Sequence, residues 1–153
     1  MPSDPSSRSG APLGLLVVQR RLVHYRVPFF ERLRTRLAAC DIELKLVVGD
    51  ATPEEAARGD AGRLPWAVHR PCRYLAGDRL CWQSIGDLVA TSDLVIVTQE
   101  NRLLNNLPLL WRSRHARVGL WGHGRNFQAR HTAGSSFATR WKETTSRRAD
   151  WWF

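Results

Sequence analysis

Apolar residues along this chain fall into short runs separated by polar loops. Leu13-Gly14-Leu15-Leu16-Val17-Val18, Ile42 to Val48, Leu94-Val95-Ile96-Val97 and Val118 to Trp121 each have the length of a strand. Most are apolar throughout rather than alternating, as strands covered on both faces must be. Between them the spacing changes to that of helices. Phe30, Leu33 and Leu37 recur at helical intervals behind Pro28, which suits a first helical position, so the pattern predicts a helix over 28–40. Leu80, Trp82, Ile85, Leu88 and Val89 predict a second helix over 80–90, and the leucines of 103–114 a third, its start delayed by Pro108. Phe137, Trp141 and Thr144 place a fourth over 135–148. One helical turn is expected at Pro53–Arg58. Trp66 to Leu75 reads as an edge or bulged strand because Pro71 interrupts it.

Strands and helices therefore alternate. That order predicts an α/β fold, a Rossmann-like parallel sheet with helices on both faces. Residues 1–12, MPSDPSSRSGAP, are expected to be a disordered tail, and 13–153 one domain. In such sheets ligands bind beyond the carboxyl ends of the strands, where strand order reverses. The loops to search are therefore 19–27, 49–50, 98–102 and 122–126.

Charge adds an asymmetry. The chain carries a net charge of +9, and residues 111–153 alone hold nine Lys or Arg against two acids. A basic third suits an anionic partner such as phosphate, an anionic membrane surface or nucleic acid, and equally suits a solvated face. Three cysteines without a C-x-x-C pair disfavour a disulfide framework or a zinc site and fit a reducing, cytoplasmic setting. The six-residue apolar run at 13–18 is too short to span a membrane.

The loops lack familiar nucleotide motifs. Gln19-Arg20-Arg21-Leu22-Val23-His24-Tyr25-Arg26 stands where a G-x-G-x-x-G would follow the first strand, and no P-loop is present. No serine or cysteine sits in a nucleophile motif, and no histidines have metal spacing, so no metal is expected. His69 and His115 read as structural or surface residues. His123 differs, because Gly122 and Gly124 flank it at a strand's carboxyl end and let backbone and ligand approach closely.

HYRVPFFERL after the first strand, DLVIVTQENRLLNNLPLL, and VGLWGHGRN closing a later strand resemble the amino-terminal half of a GT-B glycosyltransferase, more narrowly the retaining family 4 type. The similarity covers most of residues 13–153. It implies an acceptor-binding domain that works with a second, donor-binding domain across a cleft, with a nucleotide-sugar as donor and a sugar or glycolipid as acceptor. His123 matches the histidine that such enzymes turn into the cleft and is the implied catalytic residue. Arg21, His24, Tyr25, Arg26, Gln99, Asn101, Gly122, Gly124, Arg125 and Asn126 are implied to line the acceptor side. The family's carboxyl-terminal domain, with its donor-binding glutamates, has no counterpart here. The resemblance thus implies half an enzyme, inactive alone, binding no cofactor itself, needing a carboxyl-terminal domain or partner subunit, and working in the cytoplasm or peripherally at the inner membrane face. Trp151-Trp152-Phe153 looks like the approach to a buried strand.

Two other classes compete. A basic nucleic-acid-binding module would use the arginines and aromatics of the last third, but no nucleic-acid motif accompanies them. A small-ligand-binding α/β module has the same fold without the transfer chemistry.

Overall fold

A computed structural model describes residues 10–100, 102–112, 116–122, 144 and 147–153. The chain runs β1 (Leu13–Gln19), α1 (Val27–Ala38), β2 (Ile42–Val48), α2 (Pro53–Ala56), β3 (Val68–His69), β4 (Cys72–Leu75), β5 (Leu80–Gln83), α3 (Gly86–Val89), β6 (Leu94–Thr98), α4 (Asn106–Arg112), β7 (Arg117–Trp121) and β8 (Trp151–Trp152). Six strands form one sheet in the order β3-β2-β1-β6-β7-β8, and every neighbouring pair is parallel. This is the α/β, Rossmann-like arrangement that the alternating pattern predicts.

The apolar runs are buried on both faces because successive residues point opposite ways. Leu15 and Val17 of β1 join Phe30, Leu44 and Leu46 in one cluster, against which Val27, Leu33 and Leu37 of α1 pack. Leu16 and Val18 join Val95, Val97, Leu120, Ile85 and Leu109 in the other, from the opposite face. Phe30 is fully buried, and burying such a side chain is worth about 1.5–3 kcal/mol.

Three expectations need correction. Residues 80–90 do not form one helix. Leu80–Gln83 is strand β5, paired antiparallel with β4, and only Gly86–Val89 is helical. Cys81 and Gln83 are buried while Trp82 is exposed, a period of two that Ile85 and Leu88 disguised as one of 3.6. A turn at 76–79, with Ala76, Gly77 and Asp78 all at positive φ, closes this hairpin. Next, 66–75 is two short strands rather than one. Pro71 separates β3, on the edge of the main sheet as expected, from β4 in the hairpin. Finally, Trp151–Trp152 does form a strand against β7, but an edge strand rather than a buried one, with Trp151, Trp152 and Phe153 about half exposed.

Helix α4 starts at Asn106, three residues after the leucine run begins. The expected tail lies outside the described residues over 1–9, as does nearly all of the expected helix over 135–148. Among the described residues no helix is long and apolar enough to cross a membrane.

Candidate functional site

The strand order reverses between β1 and β6. The chain leaves β1 toward β2 and β3 on one side, then returns to β6 on the other. Val18 pairs with Val97, so Gln19 and Thr98 end side by side at the mouth of this switch point. Everything the two loops carry converges there.

Gln19 is buried and accepts a hydrogen bond from Arg26 Nη1 at 2.7 Å. That contact folds the loop back, through a 3-10 turn over His24–Arg26, onto the end of its own strand. Gln19 Nε2 has no partner among the described residues although it is buried. An unpaired buried amide costs about 1–3 kcal/mol unless a ligand or water meets it.

Arg26 also reaches across to β7. Its guanidinium carbon lies 5.6 Å from the centre of the Trp121 ring and 5.9 Å from that of Tyr25. Phe29 stacks at a tilt against Trp121, with centroids 5.6 Å apart. Tyr25 is 65 % exposed and Phe29 48 %, so this group presents an open surface. The carboxyl ends of β1 and β7 therefore carry an aromatic and cationic platform beside the switch point. Aromatic faces offer apolar surface to the C–H face of a ring-shaped ligand, and the guanidinium and amide supply directional donors.

Gly122 and Gln99 meet at the next strand ends. Gln99 donates its backbone N–H to the Trp121 carbonyl at 2.9 Å. A Cβ on Gly122 would lie 2.8 Å from Gln99 Cβ, so only glycine lets the two loops approach this closely.

Of the implied cleft residues, Tyr25, Arg26, Gln99 and Gly122 thus gather around Gln19 and Trp121. Arg21 and His24 turn the other way. Arg21 grips Asp60 through two bonds of 2.8 and 3.0 Å, and His24 Nδ1 lies 3.3 Å from the Asp60 carbonyl oxygen. Asn101, His123, Gly124, Arg125 and Asn126 lie outside the described residues.

The structure adds a group that the sequence reading passed over. Arg20, only 6 % exposed, holds Glu55 through bonds of 2.6 and 2.5 Å and donates to the Tyr74 hydroxyl at 2.8 Å. Tyr74 in turn donates to the Asp50 carbonyl at 2.5 Å. Arg102 bridges Glu100 at 2.8 Å and Glu55 at 3.4 Å. Three loops and a strand are tied together in this way: the loops after β1, β2 and β6, and the hairpin strand β4. The hydrogen bonds from Arg20 pull the Glu55 carboxyl down to about 2, with burial opposing. Burial pushes the Tyr74 hydroxyl up to about 12. Burial works against the charge on Arg20, but Glu55 and Tyr74 outweigh it and raise its pKa.

Near neutral pH, then, Glu55 stays ionised and Tyr74 stays protonated. The network ties these segments together. One sequence signal marked it. Thr52-Pro53-Glu54-Glu55 is a capping box, with Glu55 Nα donating to Thr52 Oγ1 and Thr52 Nα to Glu55 Oε2. Among the described residues no cluster of His, Cys, Asp or Glu could hold a metal ion.

No family model, curated protein or solved structure matches the chain.

Proposed function

We propose that this chain is the acceptor-binding, amino-terminal half of a GT-B glycosyltransferase of the retaining family 4 type. The observation that carries the reading is the platform of Tyr25, Arg26 and Trp121 at the switch point. Two segments that suggest the family in the sequence, HYRVPFFERL and VGLWGHGRN, supply its residues from strands separated by β6. A sugar needs an apolar face to lie on and donors around its rim, and this surface offers both. Gln19 Nε2, buried beside it and without a partner among the described residues, adds a donor whose desolvation a sugar hydroxyl would offset.

On this reading the donor, a nucleotide-sugar, is held by a second domain, from further chain or a partner subunit, and His123 is the catalytic residue that the resemblance implies. The exposed Tyr25 and Phe29 beside Arg26 favour a glycolipid acceptor presented at an anionic membrane surface, where such mixed side chains sit comfortably. Tryptophan fluorescence tests the binding half of the proposal, since Trp121 reports on the platform. Titration with a panel of oligosaccharides and short-chain glycolipids should shift the emission for at least one class. Tyr25→Ala with Arg26→Ala should weaken that binding at least tenfold. Equal affinity in the double variant would remove the platform from the account.

A further inference from the structure

A second concavity, of about 390 Å³, opens at the carboxyl ends of β2 and β3, and none of Tyr25, Arg26 or Trp121 lines it. Its volume falls in the range of small-molecule sites. The wall contains Arg21, Arg63 and His69 and no Asp or Glu. Two of these side chains are held from the side by carboxylates. Asp60 fixes Arg21 with bonds of 2.8 and 3.0 Å, and Asp50 Oδ1 lies 2.8 Å from His69 Nε2. Arg63 has neither an ion pair nor a hydrogen bond among the described residues.

Two glycines stand in this wall, each packed flush against its neighbours. A Cβ on Gly49 would lie 2.4 Å from Cys72 Sγ, and one on Gly62 would lie 2.9 Å from the Val23 backbone. Both wall positions therefore exclude side chains, and the backbone itself forms that part of the wall.

We propose that this pocket binds a phosphate monoester, independently of the glycosyltransferase reading. Two guanidinium groups and an imidazole converge from the loop after β1, the segment between α2 and β3, and β3 itself. Two guanidinium groups can meet one phosphate, and arginine matches phosphate geometry especially well, while His69, whose Nε2 proton goes to Asp50 Oδ1, shapes the wall beside them. Arg63 supplies the uncompensated charge. Arg21 and His69, already oriented by their carboxylates, lose little further freedom on binding. The remaining volume takes the group to which the phosphate is esterified.

Calorimetric titrations of the whole chain with inorganic phosphate, a hexose 6-phosphate and the uncharged hexose test this. The expected result is binding of both phosphates, weakened by added salt, tighter for the hexose phosphate, and none detectable for the hexose. Arg63→Ala should weaken phosphate binding about tenfold or more, the cost of losing a charge-assisted hydrogen bond. Arg63→Lys should recover part of it. Arg73→Ala, which removes an exposed arginine outside the cavity, should change nothing. Urea unfolding of each variant confirms equal folding. The proposal falls if wild type binds neither phosphate, if Arg63→Ala binds as tightly as wild type, or if Arg73→Ala weakens binding as much as Arg63→Ala.

Discussion

Arg20 and Glu55, thirty-five residues apart in sequence, meet in a two-pronged ion pair of 2.6 and 2.5 Å that is almost closed to solvent. The pair joins the end of β1 to α2, and so holds the first βα loop beside the pocket lined by Arg21 and Arg63. Burying two charges is costly, and the pair is supported by Tyr74, Arg102 and the capping box, while Arg20 Nε is buried without a hydrogen bond among the described residues, 3.7 Å from Glu100 Oε2.

Removing one partner should therefore be far worse than removing both. Glu55→Ala leaves a buried guanidinium without its carboxylate and should destabilise the fold by about 3–5 kcal/mol. Arg20→Met with Glu55→Leu should cost markedly less. Urea unfolding measures both, and a double variant destabilised as much as Glu55→Ala or more would mean that the two residues do not act as a pair.

The same pair makes stability pH-dependent. Glu55 titrates near 4.5 in the unfolded chain and near 2 when folded, so its contribution is complete above about pH 4.5 and disappears as pH falls toward 2. The amount is on the order of 3 kcal/mol. Unfolding free energies across pH 2–6 should drop on the acid side, and Glu55→Gln should flatten that slope. A Glu55→Gln profile as steep as wild type would assign the acid loss to other carboxylates, such as Asp60 and Asp150, whose pKa values are also lowered.

The hairpin β4–β5 predicts an order of thiol reactivity. Burial pushes the Cys81 thiol up to about 12, whereas Cys40 is exposed and Cys72 half-buried. Since the thiolate is the nucleophile, iodoacetamide at pH 8 should label Cys40 first and Cys81 only after unfolding. Mass spectrometry of partially labelled protein reads the order directly. Labelling of Cys81 at the rate of Cys40 would show that the hairpin opens readily.

The legibility of this fold differed by segment for physical reasons. Leu13–Val18 and Leu94–Val97 could be recognised because burial on both faces demands apolar runs, and Ile42–Val48 because its apolar residues still dominate around Glu43 and Lys45. Ile42–Val48 matched its strand at both ends. Residues 80–90 misled because a four-residue strand and a four-residue helix share their apolar side chains with opposite faces of the core. Tyr25, Arg26, Gln99 and Gly122 could be placed near one another because parallel sheets gather their carboxyl-end loops at the switch point. Arg20 could not be told from Arg21 by sequence, since both follow the same strand. Only the tertiary positions of Glu55 and Tyr74 bury the first, and only that of Asp60 turns the second toward β3.

On the proposed reading, this domain forms one wall of a two-domain transfer site. Bringing donor and acceptor together in a water-poor cleft supplies much of the rate, and one wall cannot do it. Nucleotide release from nucleotide-sugar donors tests the claim most directly, measured with an acceptor found by the fluorescence titration. It should be compared in the 153-residue chain alone, in the chain joined to a carboxyl-terminal GT-B half, and in that joined protein with His123→Ala. The account predicts no turnover by the chain alone, acceptor-dependent turnover by the joined protein, and a loss of roughly a hundred- to thousandfold in the variant. Robust turnover by the chain alone, or full activity after His123→Ala, would contradict it.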